Sequence, residues 1–248
     1  MPGSKRLPLL LIERGSLPEF VLLPGDPARA AAIASRLEGA REVAYNREYR
    51  TFVGEHDGAH IAVVSTGVGA SGAAVAFEEA IMAGAKTLIR VGTTGSLQDV
   101  VKTGDLIVAT AAVRNDGVGD QLLPVEFPAV ADLTVSGSLI EAARARQARL
   151  HCGVVGTVGA FYKGHLDLGL DWMSEAGVLS VEMECATLFV VAALRGVRAG
   201  AVLAVDGDAR QASDGEYDPH REAVRRAVSE EIDIALEAVR RLAEPGDG

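Results

Sequence analysis

Short apolar runs alternate along the chain with segments in which apolar residues recur at helical spacing. The runs predict strands at Phe20–Leu23, His60–Ser65, Thr87–Val91, Asp105–Val113, Gly153–Val158 and Ala199–Val205. The helical spacing predicts helices from Asp26 through Leu37, after Gly72 to Met82, and over Leu139–Leu150, Val181–Leu194 and Glu222–Leu242. This alternation is typical of an α/β domain with a mixed, largely parallel sheet that helices cover on both faces.

No Pro/Ser-rich linker or internal repeat divides this pattern. We therefore expect one domain over residues 1–248, with residues 1–18 as an N-terminal arm and residues 244–248 as a frayed tail. Gly-rich turns follow several of the predicted strands. Since open α/β sheets bind ligands at the carboxyl ends of their strands, we expect the site at those turns.

Composition narrows the function classes. The chain has 24 Lys+Arg and 34 Asp+Glu, a net charge of −10, with 48% hydrophobic and only 4% aromatic residues. The apolar content is that of a packed protein rather than a disordered one. The acidic balance and scarce aromatics argue against nucleic acid or an anionic membrane as a partner. They do not exclude a small buried anion site.

The cysteines and the N-terminal segment indicate a cytoplasmic protein. Cys152 and Cys185 form no CxxC pair and no disulfide framework. The apolar run Leu7–Ile12 is short for a signal peptide and has no small-residue cleavage site after it. No uncharged apolar stretch is long enough for a transmembrane helix. A cytoplasmic enzyme or binding protein remains.

Two strand-end motifs carry an arginine. Gly25 and Arg29 lie where a strand, a Gly turn and a helix start meet, which is a natural anion site; the alternative is a capped helix with a solvated Arg. Arg90 ends an apolar run just before Thr93, and an unpaired buried guanidinium is costly. It requires either a bound anion or an internal Arg–Glu bridge.

The segment Gly67-x-Gly69-x-x-Gly72 matches the glycine motif of dinucleotide-binding proteins. Its position in the chain and the absence of an acid about 20 residues on argue against that function. Close helix–sheet packing, or substrate contact through Gly67 and Val68, is the favoured interpretation.

Carboxylates follow two further segments. Glu182 and Glu184 begin an apolar predicted helix, where they either cap it or bind sugar hydroxyls. Asp206 follows a core strand and is either an acid/base candidate or a turn residue, with Asp208 as the fallback acid. The five His residues show no metal spacing, and no Ser-His-Asp signature occurs, so neither metal nor acyl-enzyme chemistry is expected. Three arginines, two carboxylates and several Gly turns together indicate a transfer reaction that involves an inorganic or organic phosphate.

Three segments in this order resemble the nucleoside phosphorylase family of hexameric purine nucleoside phosphorylases and uridine phosphorylases. They are Pro24–Arg29, Arg90–Gly95 and Val181–Thr187. The resemblance runs from about Val21 to the terminal helix. It implies a three-layer fold and reversible phosphorolysis of a nucleoside, with inorganic phosphate as co-substrate, no cofactor and no metal.

The resemblance also implies roles for individual residues. Phosphate would be held by Gly25, Arg29, Arg90 and Thr93, and by Arg47 of a neighbouring subunit. The working unit would then be a homo-oligomer with shared active sites, in dimer units or as a hexamer. The nucleoside would contact Phe161, Tyr162, Glu182, Met183, Glu184 and Asp206, with Asp206, Glu184 and Arg90 as catalytic residues.

Two branches of the family compete. Arg114–Gly117 and Leu123–Asp132 look like uridine phosphorylases, but His165 and Asp167 replace the Gln and Arg expected to contact uracil. Three other segments look like the parasite-type purine nucleoside phosphorylases, namely Ala44–Tyr49, Val205–Gly207 and Asp214–Asp218. We therefore expect a 6-oxopurine nucleoside as substrate, with uridine as the alternative. A nucleoside hydrolase and a non-catalytic nucleoside-binding protein are further alternatives.

One position departs from the family pattern. The family places a His near the N-terminus, where it reaches the ribose 5′-hydroxyl across the subunit interface. No His precedes His56 here, and Leu9 is the expected replacement. An apolar side chain at that place predicts that 5′-deoxy or 5′-methylthio nucleosides are accepted.

Overall fold

The computed structural model describes residues 6–210, 218 and 220–244. Most of the predicted purine-type segment Asp214–Asp218 and of the tail 244–248 therefore lies outside the described residues. The strands are β1 Phe20–Leu23, β2 Glu38–Asn46, β3 Tyr49–His56, β4 Ala59–Val64, β5 Thr87–Ser96, β6 Leu106–Asn115, β7 Ala129–Val130, β8 Leu150–Val158, β9 Ser180–Glu182 and β10 Arg198–Asp208. The helices are α1 Pro27–Ala34, α2 Ala70–Met82, α3 Gly119–Leu122, α4 Leu133–Ala145, α5 Leu170–Glu175, α6 Cys185–Arg195 and α7 Glu222–Ala243.

The strands form one ten-stranded mixed sheet that partly closes on itself. Its order is β10-β6-β8-β9-β5-β1-β4-β3-β2, and β10 also pairs with β5 in parallel. The five strands β5, β10, β6, β8 and β9 therefore form a closed ring, while β1, β4, β3 and β2 extend from β5 as an open sheet. Strand β7 pairs with β6 outside this path.

Helices cover both faces, which gives three layers. Buried residues of α2 and α6 pack in one core with Leu7 and Leu10 of the N-terminal arm, and those of α1, α4 and α7 pack in a second core on the opposite face. Parallel strands that are covered on both faces read as continuous apolar runs, which is the pattern seen in β1 and in most of β10. The expected α/β class is confirmed.

Local chemistry sets several helix ends. The Asp26 carboxylate accepts a hydrogen bond from the Ala28 amide (2.8 Å) and caps α1, and Pro27 occupies the first helical position. Gly196 ends α6 in the left-handed conformation (φ 65°). Gly84 follows α2 at φ 124°, and a Cβ there would lie 2.8 Å from the Leu17 carbonyl oxygen, so only glycine fits.

Several predicted boundaries were wrong. The hairpin of β2 and β3 was missed because β2 is a largely exposed edge strand without apolar alternation. The predicted turn after Val91 is strand, since β5 continues to Ser96. The segment predicted as helix from Val181 begins as strand β9, and α6 starts only at Cys185. Helix α4 ends at Ala145 rather than Leu150, because Leu150 already begins β8.

Candidate active site

A cavity of about 620 Å³ opens at the carboxyl ends of β1, β4, β5 and β10. This volume suits a small-molecule ligand. Nine of the residues predicted for the site line it: Gly25, Arg29, Arg90, Thr93, Phe161, Glu182, Met183, Glu184 and Asp206. The strand-end turns predicted from the glycine pattern thus meet at one place. Arg47 and Tyr162 do not line this cavity.

Arg90 lies at the centre of the cavity floor, bridged to two carboxylates. Its Nε is 3.0 Å from Oε2 of Glu182, and its Nη2 pairs with Oε2 of Glu184. All three side chains are buried. Burial lowers the pKa of the Arg90 guanidinium, but the carboxylates of Glu184 and Glu182 outweigh it and the net shift is upward. The structure thus shows the internal Arg–Glu bridge that was the alternative to a bound anion.

The two glutamates have different surroundings. Glu182 accepts hydrogen bonds from the hydroxyl of Thr157 (2.6 Å) and from the amides of Glu184 (2.9 Å) and Cys185 (3.0 Å), so its carboxylate is tied to the start of α6. Glu184 accepts from the amide of Gly69 at the start of α2, and its other oxygen pairs with Arg90. Burial raises the pKa of Glu184, against the opposing effect of Arg90. Glu184 therefore keeps more acceptor capacity towards the cavity than Glu182.

The loops after β1 and β4 form the wall beside Arg90. The amide of Thr66 donates to the carbonyl of Pro24 (2.9 Å), and the amide of Gly67 donates to the carbonyl of Gly25 (3.0 Å). Arg29 stands in the first turn of α1, where its Nη1 lies 3.4 Å from Oε1 of Glu231. The two cavity arginines and the start of α1 supply the positive charge and free amides that an anion needs.

A β-bulge orients the side chain of Asp206. The register of β10 against β5 shifts between Val205 and Gly207, so Asp206 is the extra residue. A bulge re-aims the side chain at the extra position. Asp206 is 5% exposed and faces the cavity from an otherwise apolar strand.

Asp208, the fallback acid, is held in an ion pair. Its carboxylate accepts from the amide (2.9 Å) and the Nε (3.0 Å) of Arg210, and a second guanidinium nitrogen lies 2.8 Å away. Arg210 also pairs with Asp99 at 2.8 Å. The hydrogen bonds from Arg210 hold the pKa of Asp208 below its ordinary value. A carboxylate fixed in its charged form is a poor proton donor, so the geometry favours Asp206.

The far wall of the cavity is apolar. Phe161, Met183, Val158, Leu168 and Leu170 line it, together with Ala209 after β10. Phe161 meets Tyr162 edge to face, with ring centroids 5.1 Å apart. Tyr162 itself is 84% exposed and points away from the cavity lining. An apolar wall opposite charged groups suits a ligand with a flat base at one end and an anion at the other.

Arg47 lies outside the cavity lining, although its neighbour Glu48 belongs to it. It occupies the turn between β2 and β3 at φ 55°, and it is exposed. The side-chain amide of its neighbour Asn46 donates to the carbonyl of Leu9 (2.8 Å). The Glu79 carboxylate on α2 accepts from the amides of Leu9 (3.1 Å) and Leu10 (2.7 Å). Leu9 is thus tethered beside the Arg47 turn.

Three site residues were missed from the sequence. Gly92 gives space to Arg90, since a Cβ there would lie 2.7 Å from the guanidinium carbon. Glu48 lines the cavity and packs on Gly67, where a Cβ would lie 2.7 Å from the Glu48 Cγ. Glu231 is an acid within the buried apolar stripe of α7, which the periodicity of that helix could have revealed.

In residues 6–210, 218 and 220–244, no group of three or more His, Cys, Asp or Glu is placed to hold a metal ion. Over the same part of the chain, no helix has the length and apolar character needed to cross a membrane.

The chain is similar in sequence to known phosphorylases. The model of a family described as the phosphorylase superfamily matches residues 19–240. A uridine phosphorylase from Thermococcus kodakarensis is 45% identical over 203 residues, 77% of this chain and 73% of that protein. A guanosine phosphorylase from Halorubrum lacusprofundi is 37% identical over 238 residues, 95% of this chain and 98% of that one.

A solved structure has nearly the same fold. The purine nucleoside phosphorylase from Toxoplasma gondii, crystallised in complex with immucillin-H, superposes with a TM-score of 0.93. It is 34% identical, and the match covers 98% of both chains.

Proposed function

The chain belongs to the phosphorylase superfamily and is a nucleoside phosphorylase, a pentosyltransferase with phosphate as co-substrate, and we propose that it acts on 6-oxopurine nucleosides such as inosine and guanosine. The observation that carries the proposal is Asp206, which a bulge aims into the cavity. A purine leaving group needs a proton or a hydrogen bond at N7 as the glycosidic bond breaks.

The proposed reaction is reversible phosphorolysis. A phosphate oxygen forms a bond to C1′ of the ribose while the C1′–N9 bond breaks, and the bonding electron pair goes to the purine. The transition state resembles an oxocarbenium ion, as in other glycosyl transfers. Phosphate held beneath the sugar serves as nucleophile and as counter-charge to this cation.

Each functional group then has a role. Arg29 and Arg90 bind phosphate with Gly25 and Thr93, and Glu184 accepts hydrogen bonds from the ribose hydroxyls. Asp206 donates its proton to N7. We assign Glu182 to orienting Arg90, because its oxygens already accept hydrogen bonds from Thr157 and the start of α6. Met183 contacts the ribose, and Phe161, with Tyr162 packed against it, contacts the base.

The base preference rests on the apolar wall and on two positions in the loop beyond it. His165 and Asp167 stand where resemblance to uridine phosphorylases predicts Gln and Arg. Asp167 accepts from the amide of Gly169 (3.0 Å) just before α5, so its carboxylate has a structural contact.

Uridine is the second candidate substrate, supported by the Thermococcus relative and by Arg114. The Arg114 guanidinium donates hydrogen bonds to the carbonyls of Leu123 and Pro124. These bonds fix the start of the segment Leu123–Asp132, which resembles uridine phosphorylases.

A phosphate-dependent substrate panel tests this proposal. We expect release of hypoxanthine and guanine from inosine and guanosine only when phosphate is added, with ribose 1-phosphate as the second product. Uridine should react with at least about tenfold lower kcat/KM, since one lost transition-state contact is worth roughly that factor. Base release without phosphate would indicate a hydrolase. Faster reaction with uridine would reverse the assignment of the base.

We further propose that the active site is shared between subunits. Among the described residues, Arg90 already pairs with two carboxylates, those of Glu182 and Glu184, so its charge is compensated and only Arg29 is left to balance a phosphate. A phosphate dianion at this place needs more positive charge. Arg47 of a neighbouring subunit would supply it, which makes a dimer the smallest working unit and a hexamer of such dimers a larger one.

Leu9 offers a test of the 5′ substituent. Because Leu9 is tethered beside the Arg47 turn, the two would enter the neighbour's site together. We expect the parent enzyme to use 5′-deoxyinosine and 5′-methylthioinosine at least as efficiently as inosine. Leu9→His should raise the inosine to 5′-deoxyinosine ratio of kcat/KM by about tenfold, the value of one hydrogen bond to the 5′-hydroxyl.

The matched control for this prediction is Leu9→Phe, which adds a ring without a donor and should leave the ratio unchanged. A parent enzyme that strongly prefers inosine over both analogues would show that Leu9 does not face the 5′ position.

A further inference from the structure

A buried carboxyl lies behind the cavity and outside its lining. Glu231 stands in the middle of α7 with no exposed surface. Its neighbours on the same helix face are apolar, among them Ala227, Ile234 and Ala235. Its Oε1 lies 3.4 Å from Nη1 of Arg29. A carboxyl in this position is unusual, because a helix face that packs on a sheet is ordinarily apolar throughout.

Glu231 differs from the other buried acids of the site in its hydrogen bonding. Glu182 and Glu184 accept from backbone amides and from Arg90. Neither oxygen of Glu231 accepts a hydrogen bond of normal geometry from any described residue. The nearest donors, Arg29 and the Ala204 amide, make no hydrogen bond of normal geometry to it, and an ionised carboxylate held in this way is more costly to bury than a neutral acid. The surroundings therefore favour a protonated Glu231.

The charged groups around Glu231 come from three elements. Arg29 on α1 and Arg90 on β5 favour its charged form, as does the Ala204 amide, and Asp206 on β10 opposes it. Helix α4 also packs on α7, but its charged partners there, Glu141 and Arg146, pair with Arg241 and Asp233 instead. Burial is the largest influence and raises the pKa of Glu231 to about 8.

We propose that Glu231 is a positioning residue that holds the Arg29 guanidinium towards the phosphate site as a neutral acid, leaving the positive charge of Arg29 available to phosphate. The carbonyl oxygen of the neutral acid attracts one guanidinium N–H without cancelling the charge. Nη1 of Arg29 also donates to the carbonyl of Val91 (3.5 Å), and the side chain lines the cavity, so Nε and Nη2 are left for phosphate. This inference rests on the phosphate site of the proposed function.

The proposal implies a pH dependence with a definite sign. Below about pH 8 Glu231 holds its proton, and Arg29 keeps its full charge. Above that pH the carboxylate forms and compensates Arg29, so phosphate binds more weakly. The ionisation of inorganic phosphate over this range affects the parent and a Glu231 variant alike, so the difference between their pH profiles reports on Glu231.

Two substitutions of Glu231 distinguish its role in positioning Arg29 from the effect of its charge. Glu231→Gln imitates the neutral acid, so at pH 7 its KM for phosphate should stay close to that of the parent, and it should lack the rise in KM above pH 8. Glu231→Leu removes the hydrogen-bond acceptor for Arg29. The KM of this variant for phosphate should rise about tenfold at pH 7, because a contact to a charged group is worth roughly that factor. Its kcat should change much less. The shift of the melting temperature by inorganic phosphate should decrease in parallel.

Glu237→Gln is the matched control on the same helix. Glu237 pairs with Arg240 and Arg241 and does not line the cavity, so its substitution should leave both phosphate readouts unchanged. Parallel pH profiles for the parent and Glu231→Gln would overturn the proposal, as would an unchanged KM in Glu231→Leu. If the leucine variant fails to fold, the glutamine profile decides.

Failure of this proposal can be told from failure of the proposed function. A parent enzyme whose base release does not depend on phosphate refutes both. A phosphate-dependent parent whose Glu231 variants behave like it refutes only the role of Glu231.

Discussion

Replacing Asp206 with asparagine is expected to lower kcat on inosine by about 100- to 10,000-fold, the range for loss of a general acid. Asparagine keeps the size of the side chain and its place on the bulge, but it has no acidic proton for N7. Because the arginines that bind phosphate are untouched, KM for phosphate should change little. Steady-state kinetics with inosine and with varied phosphate measure both quantities.

The control is Asp208→Asn, two residues further along the same strand. Asp208 is paired with Arg210 and is not placed to protonate the base, so the variant should retain most of the parent kcat. If Asp206→Asn turns over inosine as fast as the parent, Asp206 has no part in the chemistry. A large loss in Asp208→Asn alone would transfer the role to that residue.

Replacing Arg90 with methionine should destabilise the protein as well as abolish phosphate binding. Methionine imitates only the aliphatic part of the arginine side chain and leaves Glu182 and Glu184 buried without their cation. Breaking a buried ion pair from one side costs about 3–5 kcal/mol, and each kcal/mol corresponds to roughly 2–4 °C in a domain of this size. Thermal unfolding and phosphate-dependent turnover report the two effects.

The loss of stability should depend on pH. Without Arg90, burial raises the pKa of Glu184 further above its unfolded value, so the folded state binds a proton before the unfolded state does. Lowering the pH from about 8 to about 5.5 should therefore restore part of the stability of the variant relative to the parent. A constant difference in melting temperature would argue against buried charge as the cause.

Arg195→Met is the matched control for Arg90. Arg195 makes a bidentate pair with Glu78 on the surface. Exposed pairs contribute about 0–1 kcal/mol, so its loss should lower the melting temperature only slightly. An equal effect of the two substitutions would mean that the bridge at Arg90 is no more important than a surface pair.

The fold class and the place of the cavity could be predicted from the sequence because strand-end glycines and charged residues are local signals, and the family resemblance added residues such as Phe161 and Met183. Asp26 capping α1, the strand β1 and the terminal helix all follow from short-range patterns. The edge hairpin of β2 and β3 did not, since its exposed residues carry no apolar period.

Tertiary contacts account for what was missed in the site. Gly92 is required because a side chain there would collide with the guanidinium of Arg90. That contact cannot be inferred from the turn-forming residues around Gly92 in the sequence. The bulge at Asp206 depends on register against β5. Glu231 was visible as an acid in an apolar stripe, but its partner Arg29 lies about 200 residues earlier in the chain, beyond the range of any local pattern.

The closed ring of strands also determines when the site can form. Strand β5 completes the ring only with β10, whose first contact with it joins residues 111 positions apart, Thr87 and Arg198. Long-range pairing of this kind slows folding, because the loop must close before the contacts stabilise it. Arg29 and Arg90 are synthesised early, yet Asp206 and Glu231 reach them only when most of the chain has left the ribosome. The nascent protein therefore has no complete binding site for its substrates until β10 and α7 have been synthesised and have packed on the earlier strands.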